Sequence, residues 1–134
     1  MTKEPVELLQ SLRQVEERLQ SVLELSADAY WEQDENHRFT YYQNNNPERK
    51  VDKAKFLGKT SWGFGGTPVG ENNGWEQHIA LREARKPFSN FIHKYPDPTS
   101  KYGYRYMSIS GQPVFDDNGI FKGYRGIAKD VSDV

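Results

Sequence analysis

Apolar residues return at Leu8, Leu12, Val15, Leu19 and Val22, in alternating steps of four and three, with Glu, Gln and Arg filling most places between. That spacing lays an apolar stripe along a helix over residues 5–25, in the pattern of a coiled-coil seam. Pro5 suits the first helical turn, where its missing N–H leaves no bond unmade. The seam is short, about two and a half heptads. Leu9, Leu23 and Leu25 lie off it, so the helix either pairs with a second copy or packs back on its own domain.

After Ser26 the period changes from helix to strand. Residues 29–33 and 38–43 are aromatic-rich and flank the polar turn Asp34-Glu35-Asn36-His37, which reads as a β-hairpin. Asn44-Asn45-Asn46-Pro47 stops the second strand, residues 48–57 have the mixed polarity of short helical turns, and Gly58 ends them. Residues 63–70 are glycine-rich and loop-like. Asn73 is a candidate cap for a helix on which Trp75, His78, Ile79 and Arg82 share a face, ending before Pro87. Strands follow at 88–95, 102–114 and 121–131, the last two joined by Asp116-Asp117-Asn118-Gly119, where Asn and Gly accept the left-handed backbone of a tight turn. Antiparallel strands interrupted by helices predict an α+β domain with the helices on one face of the sheet.

Composition narrows the chemistry. The 134 residues suit one domain, and the formal charge of −1 gives no broad basic surface for nucleic acid or lipid. With no cysteine, a disulfide framework, a thiolate metal site and a cysteine nucleophile are all excluded. No run approaches the length of a membrane span, and the charged N-terminus lacks the apolar stretch of a signal peptide, so a cytoplasmic domain is expected. Mean hydropathy is −0.91, yet Phe, Trp and Tyr make up 13% of the chain, so aromatic rings must supply much of the core.

The element order, closed by Gly119-Ile120-Phe121-Lys122-Gly123-Tyr124-Arg125-Gly126-Ile127-Ala128-Lys129-Asp130-Val131-Ser132, resembles a PAS sensory domain. Gly58-Lys59-Thr60-Ser61-Trp62 and the pairing of Trp75 with His78 ahead of Pro87-Phe88 look like the PAS domains of bacterial sensor histidine kinases and diguanylate cyclases. The resemblance spans residues 26–134, with residues 1–25 as a signalling and dimerisation helix. It implies a five-stranded antiparallel sheet with short helices on one face. It also implies a two-component or diguanylate cyclase input module that binds a small ligand or cofactor in an internal pocket. The change would pass through Asp130, Val131 and Ser132 to a C-terminal effector domain outside this chain, or back through a homodimer seam of Leu8, Leu12, Val15, Leu19 and Val22.

A sheet curled around short helices leaves a cavity on its concave face. If Trp31 and Gln33 point inward on the first strand, Tyr30, Glu32 and Asp34 point outward. The resemblance turns Met107, Ile109 and Gly111 inward on the fourth strand, and Tyr124, Gly126 and Ala128 on the fifth, with the small residues leaving room opposite Trp31. On the third strand Asn90 and Ile92 are the expected inward pair, Phe91 and His93 the regular alternative. Trp62 and Trp75 either clamp a planar ligand or fill the core. His78 is a candidate ligand contact.

Haem-binding members of the family that the chain resembles ligate iron through a helical histidine about a turn earlier, near Gly74, so His78 matches that position poorly. Cysteine-linked flavin photochemistry is excluded, while haem and non-covalent flavin remain open. Arg49, Lys50, Lys53, Lys55 and Lys59 read as a solvated basic face. Glu32, Asp34 and Glu35 sit in or beside a turn, and no catalytic triad or metal cluster has the right spacing, so catalysis is not expected. Two alternatives stand beside the sensor: a ligand-free dimerisation module, and a small isomerase-type enzyme, which a buried carboxylate facing the cavity would favour.

Overall fold

A computed structural model describes residues 4–47, 51–63, 66–70 and 74–132 of the chain. Helix α1 (Pro5–Ser26) starts on Pro5, as its sequence dictates, and stops where Ala27 turns extended while its N–H still bonds the Leu23 carbonyl. None of its residues is buried. The seam leucines and valines stay half exposed, from 50% at Leu8 to 60% at Val22. Of the two fates open to this helix, packing back on the domain is not what is seen: it meets the sheet near its end, where Gln20 bonds Gln43 and Asn45.

Strands β1 (Ala29–Gln33) and β2 (Phe39–Asn44) form the expected hairpin. The Asp34 carboxylate accepts the N–H groups of Asn36 and Arg38, and His37 takes a left-handed φ of 62°, so the tetrapeptide closes as an Asx-type turn. A single 3-10 turn, Lys53–Lys55, follows, its first turn capped by the Asp52 carboxylate. Gly58, at φ +81°, ends it and bonds back to the Phe39 carbonyl. Helix α2 (Glu76–Glu83) buries His78 and Arg82, one turn apart on the same face. Arg49, Lys50 and Asn73 lie outside the described residues. Lys53, Lys55 and Lys59 are exposed.

The sheet is antiparallel and six-stranded, where five strands were expected. The added strand, β3 (Thr67–Pro68), pairs with Lys94 and His93 on the outer edge of β4 (Phe88–Pro96). With β5 (Tyr104–Phe115) and β6 (Phe121–Asp130) the order is β2-β1-β6-β5-β4-β3, so the first hairpin closes against the last strand. Trp31 faces Gly126 across that junction, and Gln33 faces Tyr124. The fold is thus α+β, with an antiparallel sheet and an N-terminal helix.

The core is one buried cluster of Ala29, Trp31, Tyr42, Phe88, Met107, Ile109, Tyr124 and Ala128. The expected gap opposite Trp31 is filled by Trp31 itself. A Cβ on Gly111 would meet its ring at 2.8 Å, and one on Gly126 at 2.6 Å. The glycines are therefore the socket of an indole, with Phe88 stacked on it at a centroid distance of 6.3 Å.

A bulge corrects the expected facing of β4. Phe88 pairs with Gly111 but Phe91 with Ile109, so three steps on β4 match two on β5. The extra residue is accommodated at Asn90, whose φ is +52° and whose N–H bonds the Ser110 hydroxyl. Beyond it the alternation flips. Asn90 and Ile92 are exposed, whereas Phe91 is half-buried and His93 buried. Unbroken alternation from Phe88 would put Asn90 and Ile92 inside; the bulge gives those places to Phe91 and His93.

Candidate functional site

Between the sheet and the segment carrying the 3-10 turn lies a cavity of about 1040 Å³. Its floor is Trp31, Met107, Ile109 and Ala128 from three adjacent strands. Phe39, Tyr42 and Phe56 form an aromatic side wall, with the Tyr42 and Phe56 rings 4.5 Å apart, edge to face. Ser61 and His93 close the deep side, and Lys55 and Lys59 stand on one rim.

Asp52 also lines the cavity, and three further acids on its wall, Asp28, Asp97 and Asp130, are tightly bonded. The Asp28 carboxylate, at the junction of α1 and β1, accepts the Asp130 backbone N–H at 2.6 Å and the Asn46 amide at 3.0 Å. Arg105 bridges Asp97 at 2.9 Å and Asp130 at 2.5 Å. Hydrogen bonds from Thr99 and then Arg105 hold the Asp97 carboxyl down at about 2. Burial pushes the Asp130 carboxyl up, but bonds from Ser132 and the Arg105 guanidinium outweigh it and keep its pKa below the usual carboxylate range. Both acids stay ionised at neutral pH, so neither holds a proton to deliver there. Arg105, with two carboxylates on it, is pushed up in turn.

Behind Ser61 and Trp31 sits the least expected group in the molecule. Arg82 is fully buried, and among the described residues no carboxylate pairs with it. Its Nε donates to His78 Nε2 at 2.8 Å, one terminal nitrogen to the Gln33 side-chain carbonyl, and the other to Ser61 Oγ at 3.4 Å. The rings of Phe88, Tyr124, Trp31 and Trp62 surround the guanidinium carbon at 4.9, 5.3, 5.6 and 5.6 Å. Burying an unpaired cation is costly; here neutral acceptors and ring faces offset that cost in place of an anion. Burial lowers the Arg82 pKa to about 10, which leaves it charged at neutral pH. Burial first, then the Arg82 charge, drives His78 down to about 3, so its imidazole is neutral and free to accept.

The candidates divide accordingly. Trp31, Met107, Ile109, Ala128 and Asp130 line the cavity. Gln33, His78 and Tyr124 are buried instead around Arg82, Tyr124 donating to the Lys86 carbonyl at 2.8 Å. His78 is thus a positioning residue away from the cavity wall, and its Nε2 is already engaged, which does not fit an iron ligand. Trp62 and Trp75 also lie off the wall. Their centroids are 6.1 Å apart, Trp62 is over Arg82, and the Trp75 indole donates to the Gly66 carbonyl at 2.9 Å. Asn90 and Ile92 face away altogether. Val131 and Ser132 are clasped to Tyr106, whose N–H donates to the Ser132 hydroxyl at 2.9 Å and whose carbonyl takes the Val131 N–H at 2.9 Å.

Two features escaped the sequence reading. Arg82 had one available signal, a charge one turn from His78 on the helix face expected to be buried. Ser61 had none beyond its place in a short motif. No group of three or more His, Asp or Glu among the described residues could hold a metal ion, and no helix among them is long and apolar enough to cross a membrane. Comparison with protein families, curated proteins and solved structures returns no match.

Proposed function

We propose that this chain is a PAS-type sensory input module that binds a small molecule in the cavity and relays its presence through the two segments flanking the sheet. One observation carries the reading. The cavity wall includes both Asp28, where α1 meets β1, and Asp130, the last residue of β6, and these two are bonded to each other. An occupant of that end of the cavity touches both points at which the sheet joins its flanking segments. Any ligand that fits one arrangement of that end better than another shifts the balance between them by its difference in affinity. The exposed α1 seam supplies the dimer interface, and the effector follows Ser132 in the full-length signalling protein, as the resemblance to bacterial kinase and cyclase sensors implies.

The test is native mass spectrometry of gently purified protein, with an absorption spectrum. A retained small molecule released on denaturation supports the sensor, and Soret or flavin bands identify haem or flavin. Empty protein that remains dimeric, and that takes up no small molecule from a metabolite library, leaves the ligand-free dimerisation module as the better account.

A further inference from the structure

Two apolar surfaces of the chain stand uncovered, and they complement each other. Strand alternation places Tyr30, Tyr41, Ile92, Tyr104, Tyr106 and Ile127 on the sheet face turned away from the core. The Tyr30 and Tyr41 rings meet edge to face, Tyr30 pairs with Ile127, and Tyr106 pairs with Lys94, so the patch runs over β2, β1, β6, β5 and β4. A sheet face left to water is ordinarily polar, yet Tyr41, Tyr104 and Ile92 are 46%, 41% and 37% exposed. Helix α2 and the 3-10 segment pack on the other face, through Arg82 over Trp31 and Phe56 against Tyr42. The second surface is the α1 stripe, half exposed along its whole length. Gln20, the α1 residue bonded to Gln43 and Asn45, lies about a third of the way round the helix from the middle of that stripe. The contact that holds α1 to its own sheet therefore turns the stripe away from it.

We propose that α1 of one copy lies across the exposed sheet face of a second copy, which returns the contact with its own α1. Charge supports the match. Lys94, Arg125 and Lys129 stand on the sheet face against one acid, Glu32, whereas α1 carries Glu7, Glu16, Glu17 and Glu24 against Arg13 and Arg18. An excess of two positive charges thus meets an excess of two negative ones, in a chain whose formal charge is only −1. The dimensions agree as well: a helix of 22 residues is about 33 Å long, enough to cross five strands spaced about 4.8 Å apart. A seam between two helices alone would rest on about two and a half heptads, short for a coiled coil. Helix on sheet covers both apolar surfaces at once, and its reciprocal form closes as a two-fold dimer. This inference rests on α1 being the dimer interface of the proposed function and names the surface that α1 meets.

The chain has no cysteine, so introduced ones report contacts without background. Full-length Val15→Cys protein is co-expressed with Tyr30→Cys, Ile92→Cys or Ile127→Cys protein and oxidised, and mass spectrometry identifies the disulfides. At least one mixed disulfide is expected to exceed the Val15→Cys homodimer. Sedimentation equilibrium gives a second measure: Ile92→Glu combined with Lys129→Glu, both at exposed positions, should weaken the dimer by about tenfold or more with circular dichroism unchanged. A Val15→Cys homodimer as the only product, with the Ile92→Glu/Lys129→Glu protein dimerising like the wild type, overturns docking on the sheet and leaves a seam between helices. A disulfide closed inside a monomer that carries both Val15→Cys and Ile127→Cys overturns it in favour of α1 folding back on its own sheet. A monomeric wild type overturns the dimer interface of the proposed function too, while ligand retention in native mass spectrometry still decides the sensor.

Discussion

Acid is the sharpest probe of the buried cluster around Arg82. In the folded protein His78 is enclosed by Phe88 and Phe91, at ring distances of 4.6 and 4.1 Å, and its Nε2 already accepts from Arg82. Its pKa falls from the ordinary 6.5 to about 3. Above pH 6.5 neither the folded nor the unfolded chain protonates this imidazole, and it adds nothing to pH dependence. Between pH 6.5 and 3 the unfolded chain binds a proton that the folded chain refuses, so stability falls as pH falls, by about 1.4 kcal/mol per pH unit. From neutrality to pH 4 the loss reaches about 3 kcal/mol, a large share of a small domain's stability. His37, also pushed down by burial and by Arg82, acts in the same direction. The assay is urea unfolding at pH 4, 5, 6 and 7 for the wild type and His78→Gln, whose amide oxygen can still accept from Arg82 but cannot titrate. The difference in stability between the two proteins should slope by about 1.4 kcal/mol per pH unit below pH 6, whatever the carboxylates contribute to both. Parallel curves would refute the buried, neutral His78.

Other substitutions test separate parts of the structure. Asn90→Gly should hold or raise the melting temperature and Asn90→Val should cost about 1–2 kcal/mol, because only the bulge requires a positive φ there; equal effects would place the strain elsewhere. Tyr124→Phe should lose about 1–2 kcal/mol in urea unfolding by leaving the Lys86 carbonyl without its hydroxyl donor, and an unchanged midpoint would dismiss that bond. Replacing Leu12 and Leu19 by Asp should halve the mass in sedimentation equilibrium with the sheet's circular dichroism intact. An unchanged mass would reject α1 as the dimer seam.

What could be read from the residues divides along a physical line. Periodicity reports one face of one element, and it succeeds where that face meets a uniform environment. Thus α1, the β1–β2 hairpin and the β5–β6 hairpin with its Asn118-Gly119 turn stand where the pattern puts them. It fails where one residue changes the phase. Asn90 turns Phe91 and His93 inward by adopting a conformation asparagine tolerates but no spacing announces. It fails too for β3, where two residues beside a glycine run contain no alternation at all. The inward residues of β1, β5 and β6 were legible. Their division into cavity wall and Arg82 shell was not, because it depends on which elements cross above them. Arg82 was hidden for a further reason: a cation is ordinarily assigned to water, and only the convergence of Gln33, Ser61 and His78 from separate elements shows why this one is inside.

The pairing of Ala29 with Ala128 brings the first and last strands side by side, and Asp28 and Asp130 fasten them at that end. Without α1 the domain is therefore close to a ring cut at one point. A short bridge from Ser132 back to Ala27, with a new opening in the exposed Asn118-Gly119 turn, would keep the β1–β6 and β1–β2 ladders and give a circular permutant. The same adjacency suits the domain to insertion into a loop of an unrelated host, where its entry and exit would occupy almost the same spot.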